Sequence, residues 1–562
     1  MSSAPARLRE ATPWLLLGVA AVVLVVHTLA YNFVTDDAYI SFVFSRNFAE
    51  HGELVFNLGD PVEGYTNFSW TVLLGALMVV GIPPEISSRV LGLACALVTL
   101  YLVFRIVERA LGRRSPWAAV PPVLLACSSG FACWTSGGLE TQLFTMLVTG
   151  ALEAVVAATD RPRALRRAGA LLAFAAMTRP EGVLVAAVLG VIALVHLILV
   201  HRATPAPGMN PDASISGPAE TRKFPLRDVM IAAAWFLALW APWFAWRWWY
   251  YGWPFPNTYY VKAAGPWADA ASGKPQLASQ MIDGGLYYIW VWVEQTRLLY
   301  ALPLVAIGLV TARPRTPRFV LTTACAMLAA IYVPYTISVG GDFMGLHRFI
   351  MPLFVIAAIA VVLGIEWLTR FVPEHRRLVV GASVAGALVI GFAITQHALT
   401  RTSLRWGNFG NDRGIDTPAF LIVYTEDRAI IGRAMAPCFR PDDFSIVGGA
   451  GAQPYFGRMR GIDVFGLVSD RIAHDEPRIR ARAGHTKFGS ERLLATYDPT
   501  FVFSCYRLHR TAAQPQLPCA GFWTARGYEH VTMHIPGLRE QGEYYTFLAK
   551  KARDFQCPGR VR

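Results

Sequence analysis

Adjacent aspartates, Asp36 and Asp37, follow the first long apolar run of this 562-residue chain, in the stretch Thr35-Asp36-Asp37-Ala38-Tyr39-Ile40. Carboxylates at the mouth of an apolar run are costly in hydrocarbon; they can take a proton from a hydroxyl, hold a divalent cation, or satisfy free N–H groups at a helix start. Further polar segments punctuate the apolar sequence: Val62-Glu63-Gly64-Tyr65-Thr66-Asn67, Ser136-Gly137-Gly138-Leu139-Glu140-Thr141 and Thr178-Arg179-Pro180-Glu181-Gly182. Two more are Pro256-Asn257-Thr258-Tyr259-Tyr260-Val261-Lys262 and the run from Gly340-Gly341-Asp342-Phe343-Met344 to His347-Arg348. Such a set suits a sugar phosphate: carboxylates deprotonate an incoming hydroxyl, cations neutralise a leaving phosphate, and aromatic faces cover sugar rings.

The elements that must hold these residues are membrane helices. With 54% hydrophobic residues, 17 Trp and only 16% charged residues, the chain is too apolar to be one soluble domain. The net charge of +13 does not point to nucleic acid, because Lys and Arg fall in short clusters between apolar runs and in the C-terminal part, and nucleic-acid-binding motifs are absent. Those clusters are Arg7 with Arg9, Arg105 to Arg114, Arg161 to Arg167, Arg202 to Arg227, Arg313 to Arg318, and Arg370 to Arg377. The positive-inside rule places all six in the cytoplasm.

Two crossings must then separate consecutive clusters. The apolar runs at about 13–31, 87–107, 117–134, 142–158, 165–178, 183–200, 229–249, 298–311, 319–337, 348–369 and 378–397 predict about eleven spans. The N-terminus lies inside and the C-terminus outside in this topology, and all five polar segments open outward. Residues 68–82 are apolar for too short a stretch to span and predict a surface or re-entrant helix within a long outer loop, 32–87. The first run lacks a small-residue cleavage site and so predicts an uncleaved span.

Past about residue 398 the spans stop, and strand-like pieces such as Phe444 to Val447 and Thr500 to Phe503 predict a soluble outer α/β domain, 398–562, beside a membrane domain, 1–397. Cys95, Cys127, Cys133 and Cys325 fall in predicted spans, whereas Cys438, Cys505, Cys519 and Cys557 fall in the outer domain. Four cysteines in an oxidising compartment predict one or two disulfides, with three pairings open. There is no CxxC pair to suggest zinc.

The geography restricts a transferase of this topology to a donor already moved across the membrane, a polyprenyl-phosphate sugar. At Asp36-Asp37-Ala38-Tyr39-Ile40-Ser41-Phe42, Gly52-Glu53-Leu54-Val55-Phe56-Asn57 and Val62 to Asn67 the chain resembles the first outer loop of GT-C glycosyltransferases, and more narrowly the AftB-type terminal arabinofuranosyltransferases. Further matches are Thr178 to Gly182, Pro256-Asn257-Thr258, Gly340 to Met344, Ile462 to Leu467, and Asp470-Arg471-Ile472-Ala473-His474.

The resemblance implies a GT-C fold in the bacterial cytoplasmic (inner) membrane. It also implies transfer of a sugar, arabinofuranose among the candidates, to an extracytoplasmic glycan, lipid or protein. It places the base on Asp36 or Asp37, a second site carboxylate on Asp342, and the donor phosphate on Lys262, Arg348, His347 and Arg179. The substrate-binding set is Tyr65, Asn67, Glu181, Asn257, Tyr259, Asp470 and His474. A Mg2+ or Ca2+ ion held by Asp37 and Asp342 stays open.

Plainer roles stand beside these. The aspartates also suit a helix N-terminus, Asp342 with Arg348 a structural ion pair, Arg179 with Glu181 a loop tie, and Lys262 and His347 solvated or snorkelling side chains. The tryptophans from Trp235 to Trp249 suit an interfacial belt better than a sugar platform. Two other classes, a transporter and a non-catalytic component of polysaccharide export, share many spans. Transporters place ionisable groups near the midplane, however, whereas these acids gather in the outer loops.

Overall fold

In the computed structural model the described residues are 4–112, 115–201, 225–263, 273–312, 316–405, 414–479 and 482–561. Arg113, Arg114, Arg313, Arg315 and most of the basic cluster from Arg202 onward lie outside them.

Every apolar run predicted to span is helical. The helices needed below are α1 (Ala4–Tyr31), α2 (Asp36–His51), α3 (Phe68–Val79), α4 (Pro84–Leu111), α5 (Val120–Cys127), α6 (Ser129–Ser136), α7 (Thr141–Ala157), α8 (Leu165–Thr178), α9 (Glu181–His201) and α10 (Leu226–Tyr251). Later come Pro275–Gln295, Leu298–Val310, Pro317–Ser338, Met351–Thr369 and Glu374–Ser403.

Among the described residues six helices are long and apolar enough to cross a membrane, or up to eight if each bent pair counts as one span. The difference from about eleven arises because several apolar runs make helices of only 17, 14 or 13 residues, below the roughly 20 needed to cross hydrocarbon upright. Two runs also break: α5 and α6 meet at 65°, and Pro275–Gln295 meets Leu298–Val310 at 93°.

The short apolar run after the aspartates is the 12-residue helix α3, as its length suggested. Two helices fall outside the predicted apolar runs. α2 lies in the outer loop 32–87 and lacks an apolar stripe: Ser41, Ser45, Arg46 and Asn47 are buried along with its apolar residues. Pro275–Gln295 has its apolar pattern interrupted by Gln280, Asp283 and Gly284-Gly285.

Beyond Ser403 the chain forms helix Pro418–Met435 and a five-stranded sheet of β1 (Ser445–Val447), β2 (Gly461–Asp463), β3 (Phe501–His509), β4 (Tyr528–His534) and β5 (Tyr544–Lys550). The strand order is β2-β1-β3-β5-β4. β1 pairs parallel with β2 and β3, while β5 pairs antiparallel with β3 and β4. Of the three pairings open to the four cysteines, the fold makes Cys438–Cys557 and Cys505–Cys519.

Candidate functional site

Asp36 and Asp37 are the first two residues of α2, where the positive end of a helix dipole favours carboxylates. Consecutive helical positions diverge by about 100°, so the pair cannot serve one purpose. Asp36 turns toward the short helix Ala452–Gly457 that follows β1: its Oδ1 accepts the Ala452 N–H at 2.8 Å, and Gly451 lies flat against it. A Cβ on Gly451 would stand 2.1 Å from the Asp36 carbonyl oxygen and 2.5 Å from its Oδ2, so only glycine fits. Burial pushes the Asp36 carboxyl up to about 6, against the opposing Ala452 hydrogen bond and with help from the neighbouring Asp37 charge.

Asp37 faces the other way, into a small cavity of about 70 Å³ lined also by Ser41, Tyr65, Asn67, Thr258, Lys262 and Arg348. Its Oδ2 lies 3.9 Å from Lys262 Nζ and 3.8 Å from Arg348 Nη2. These separations exceed hydrogen-bond contact, so both cations can turn to another anion without leaving the site.

Asp342 holds Arg348 in place. Arg348 Nε donates to Asp342 Oδ2 at 2.6 Å, and Asp342 Oδ1 accepts its neighbour's backbone, Phe343 N–H, at 2.9 Å. Burial alone would raise the Asp342 pKa, but the Arg348 charge and hydrogen bond, with Lys262, hold it below the ordinary carboxylate value. The turn that presents Asp342 needs Gly341, which has φ of 73° and would drive a Cβ to within 2.6 Å of Tyr288. Asp342 also borders a second cavity of about 1190 Å³, whose lining includes Lys274, Gln280, Asp283, Tyr288 and Arg482. The cluster Asp37–Arg348–Asp342 therefore stands between a small cavity and a large one.

The other expected residues are distributed around this cluster. Tyr65 and Asn67 line the small cavity. Asn67 accepts from Ser41 Oγ and donates to Glu140 at 2.8 Å; Glu140 in turn takes Arg179 Nη1 at 2.9 Å, and Arg179 Nη2 reaches Glu181 at 3.0 Å. Arg179 thus spends both terminal nitrogens on buried carboxylates, and its guanidinium lies over the Phe349 ring. His347 sits behind Arg348 with φ of 63°, its Nε2 3.0 Å from Gln295 Oε1 and its ring on Tyr288.

Asn257, Tyr259, Asp470 and His474 gather elsewhere, where the segment after α10 meets the C-terminal part. Asn257 Nδ2 donates to Asp470 Oδ1 at 2.9 Å, and His474 stacks on Trp253 at 3.6 Å. Tyr259 packs on Phe255 beside them.

Two further ion pairs support the site outside the expected residues. Glu63 forms a buried two-point pair with Arg247 of α10, with Nε to Oε1 at 2.9 Å and a second contact from Nη2 to Oε2. A lone arginine inside an aromatic membrane helix was the available signal. Arg482, 2.9 Å from Asp416 and over the Phe343 ring, borders the large cavity; nothing local in sequence marks it.

The site does not fit the divalent cation left open above. Arg348, paired with Asp342 at 2.6 Å and 3.8 Å from Asp37, sets a guanidinium charge beside both carboxylates, which disfavours a cation there. Among the described residues no group of three His, Cys, Asp or Glu side chains comes close enough to hold one.

Apolar helices long enough to cross a membrane, with an acid and two cations gathered at one end of the bundle, define a polytopic helical membrane protein with a small C-terminal sheet. No family model and no curated protein matches the sequence. Among solved structures it resembles ArnT from Cupriavidus metallidurans bound to undecaprenyl phosphate, with a TM-score of 0.52 at 14% identity, over 96% of this chain and 98% of that one. The apo state of the same protein gives 0.51 at 13% identity, over 97% and 99%. An Archaeoglobus fulgidus oligosaccharyltransferase in complex with Zn and sulfate gives 0.47 at 12%, over 97% of this chain and 75% of that one. The near-complete mutual coverage with ArnT gives this chain the same overall fold as that structure.

Proposed function

We propose that this protein is a membrane glycosyltransferase that moves a sugar from a polyprenyl-phosphate donor to an extracytoplasmic glycan, lipid or protein acceptor. The observation that carries the reading is Asp37 in the small cavity, with Lys262 and Arg348 each just beyond hydrogen-bond reach, and with Arg348 paired to the Asp342 that borders the large cavity. The ArnT structure bound to undecaprenyl phosphate supports the donor class by likeness of fold. The loop motifs favour arabinofuranose as the sugar.

In the proposed reaction the donor phosphate binds Lys262 and Arg348, with Asp342 keeping the guanidinium aimed. The acceptor hydroxyl approaches Asp37, which takes its proton as the acceptor oxygen bonds to the anomeric carbon. The bond from that carbon to the phosphate oxygen breaks, and its electron pair stays on the polyprenyl phosphate, whose charge the two cations neutralise. Asp36 has no part in proton transfer, because its carboxylate is spent on Ala452. Tyr65 and Asn67 shape the small cavity, and the chain from Asn67 through Glu140 to Arg179 and Glu181 fixes its wall.

The test is transfer by the purified protein from a panel of synthetic polyprenyl-phosphate sugars that includes arabinofuranose. Turnover with one donor and loss of turnover in Asp37→Asn are expected. Failure of every polyprenyl-phosphate sugar as donor would refute the reading.

A further inference from the structure

The reaction cluster occupies one end of the helix bundle. At the other lies a cavity of about 650 Å³ that the proposed chemistry does not use. The helix Pro317–Ser338 begins at this cavity and ends beside the Gly340-Gly341-Asp342 turn; at about 1.5 Å per residue the two sites lie about 33 Å apart, at opposite ends of an apolar helix long enough to cross a membrane.

Five arginines line the cavity, Arg105, Arg109, Arg161, Arg318 and Arg370, against three carboxylates, Glu108, Asp160 and Glu366. The carboxylates do not use up the cations. Glu108 pairs with Arg105 at 2.6 Å, Glu366 is shared between Arg318 and Arg370, and Arg109 pairs with the buried Glu153 at 3.1 Å, with Asp160 at 3.7 Å. Arg161 is exposed, and the buried Arg318, although its terminal nitrogens meet Glu366 and the Leu363 carbonyl, keeps Nε without a partner among the described residues. A surplus of guanidinium groups around a cavity, one with an unsatisfied buried N–H, is a site for an anion with several acceptor oxygens. Exposed apolar side chains stand beside it: Val310, Leu368 and Phe371.

We propose that this cavity binds the phosphate group of an acidic membrane phospholipid. The phosphodiester would sit among Arg161, Arg318 and Arg370 at headgroup depth, and its acyl chains would run along the apolar surface that begins at Val310, Leu368 and Phe371. A free phosphate satisfies the same guanidinium groups and has no use for that surface. Basic pockets between membrane helices are the usual form of such lipid sites.

The full chain, stripped of lipid and reconstituted in phosphatidylcholine nanodiscs, is titrated with phosphatidylglycerol and followed by native mass spectrometry, with inorganic phosphate as competitor. Saturable retention of phosphatidylglycerol over phosphatidylcholine is expected. The variant Arg161→Gln with Arg370→Gln, at two well-exposed positions, binds it about thirtyfold more weakly, while Arg161→Lys with Arg370→Lys keeps most of the affinity. Unchanged melting temperatures in both variants separate lost binding from lost folding. Equal retention of the two lipids, unchanged affinity in the glutamine variant, or displacement by inorganic phosphate would each overturn the proposal, the last by making the site one for the free anion.

Discussion

Asp36 and Asp37 are neighbours in sequence with opposite fates. One carboxylate anchors a loop of the C-terminal sheet, and the other faces two cations across a cavity. Asp37→Asn keeps the side chain's shape and removes its basicity, so transfer should fall by about 10²- to 10⁴-fold in a radiolabel assay. Asp36→Asn still offers Ala452 N–H an acceptor oxygen and should leave turnover within about threefold of wild type, a spread of less than 1 kcal/mol.

The same variant reports on pH. The folded-state pKa of Asp36, about 6, lies above its ordinary value of 3.8. Its contribution to stability is therefore fully present below the unfolded value and is lost as pH rises through about 6. Thermal melts should show Asp36→Asn gaining on wild type by up to about 3 kcal/mol between roughly pH 4 and pH 8.

At the scale of elements, the small cavity depends on α2, the loop carrying Tyr65 and Asn67, and the end of α10 keeping their relative positions. Glu63 and Arg247 tie the last two through a buried pair, and Asn257 N–H adds a bond to the Glu63 carbonyl. Glu63→Gln leaves a buried guanidinium without its counter-ion and should cost about 3–5 kcal/mol, read as a lowered melting temperature and a raised KM. The apolar runs made the long helices legible, because burying them in hydrocarbon needs composition alone. α2 is not, since it buries polar residues against partners distant in sequence. Arg46, for example, donates to the Tyr455 carbonyl.

At the scale of the whole molecule, the C-terminal part closes over the site. Leu467 lines the small cavity and Arg482 the large one, so catalysis should be sensitive to the integrity of the sheet. The two disulfides contribute unequally to that integrity. Cys438–Cys557 closes a loop of 119 residues and Cys505–Cys519 one of 14. Loop-closure entropy then gives about 5 kcal/mol for the first and about 3 kcal/mol for the second. Serine substitution of the first pair should therefore lower the melting temperature more than substitution of the second.

Composition and spacing by themselves determined that the chain is a polytopic membrane protein, that its chemistry-bearing residues cluster in the breaks between helices, and that its first loop carries a short apolar helix. Hydrophobic transfer and the cost of charge in hydrocarbon act on local sequence and need no tertiary partner. Only the folded molecule separated Asp36 from Asp37, paired the cysteines, set Arg348 between two carboxylates and committed Arg179 to Glu140 and Glu181. Each of those outcomes depends on which distant group meets a side chain, as Gly451 meets Asp36 across more than four hundred residues of chain.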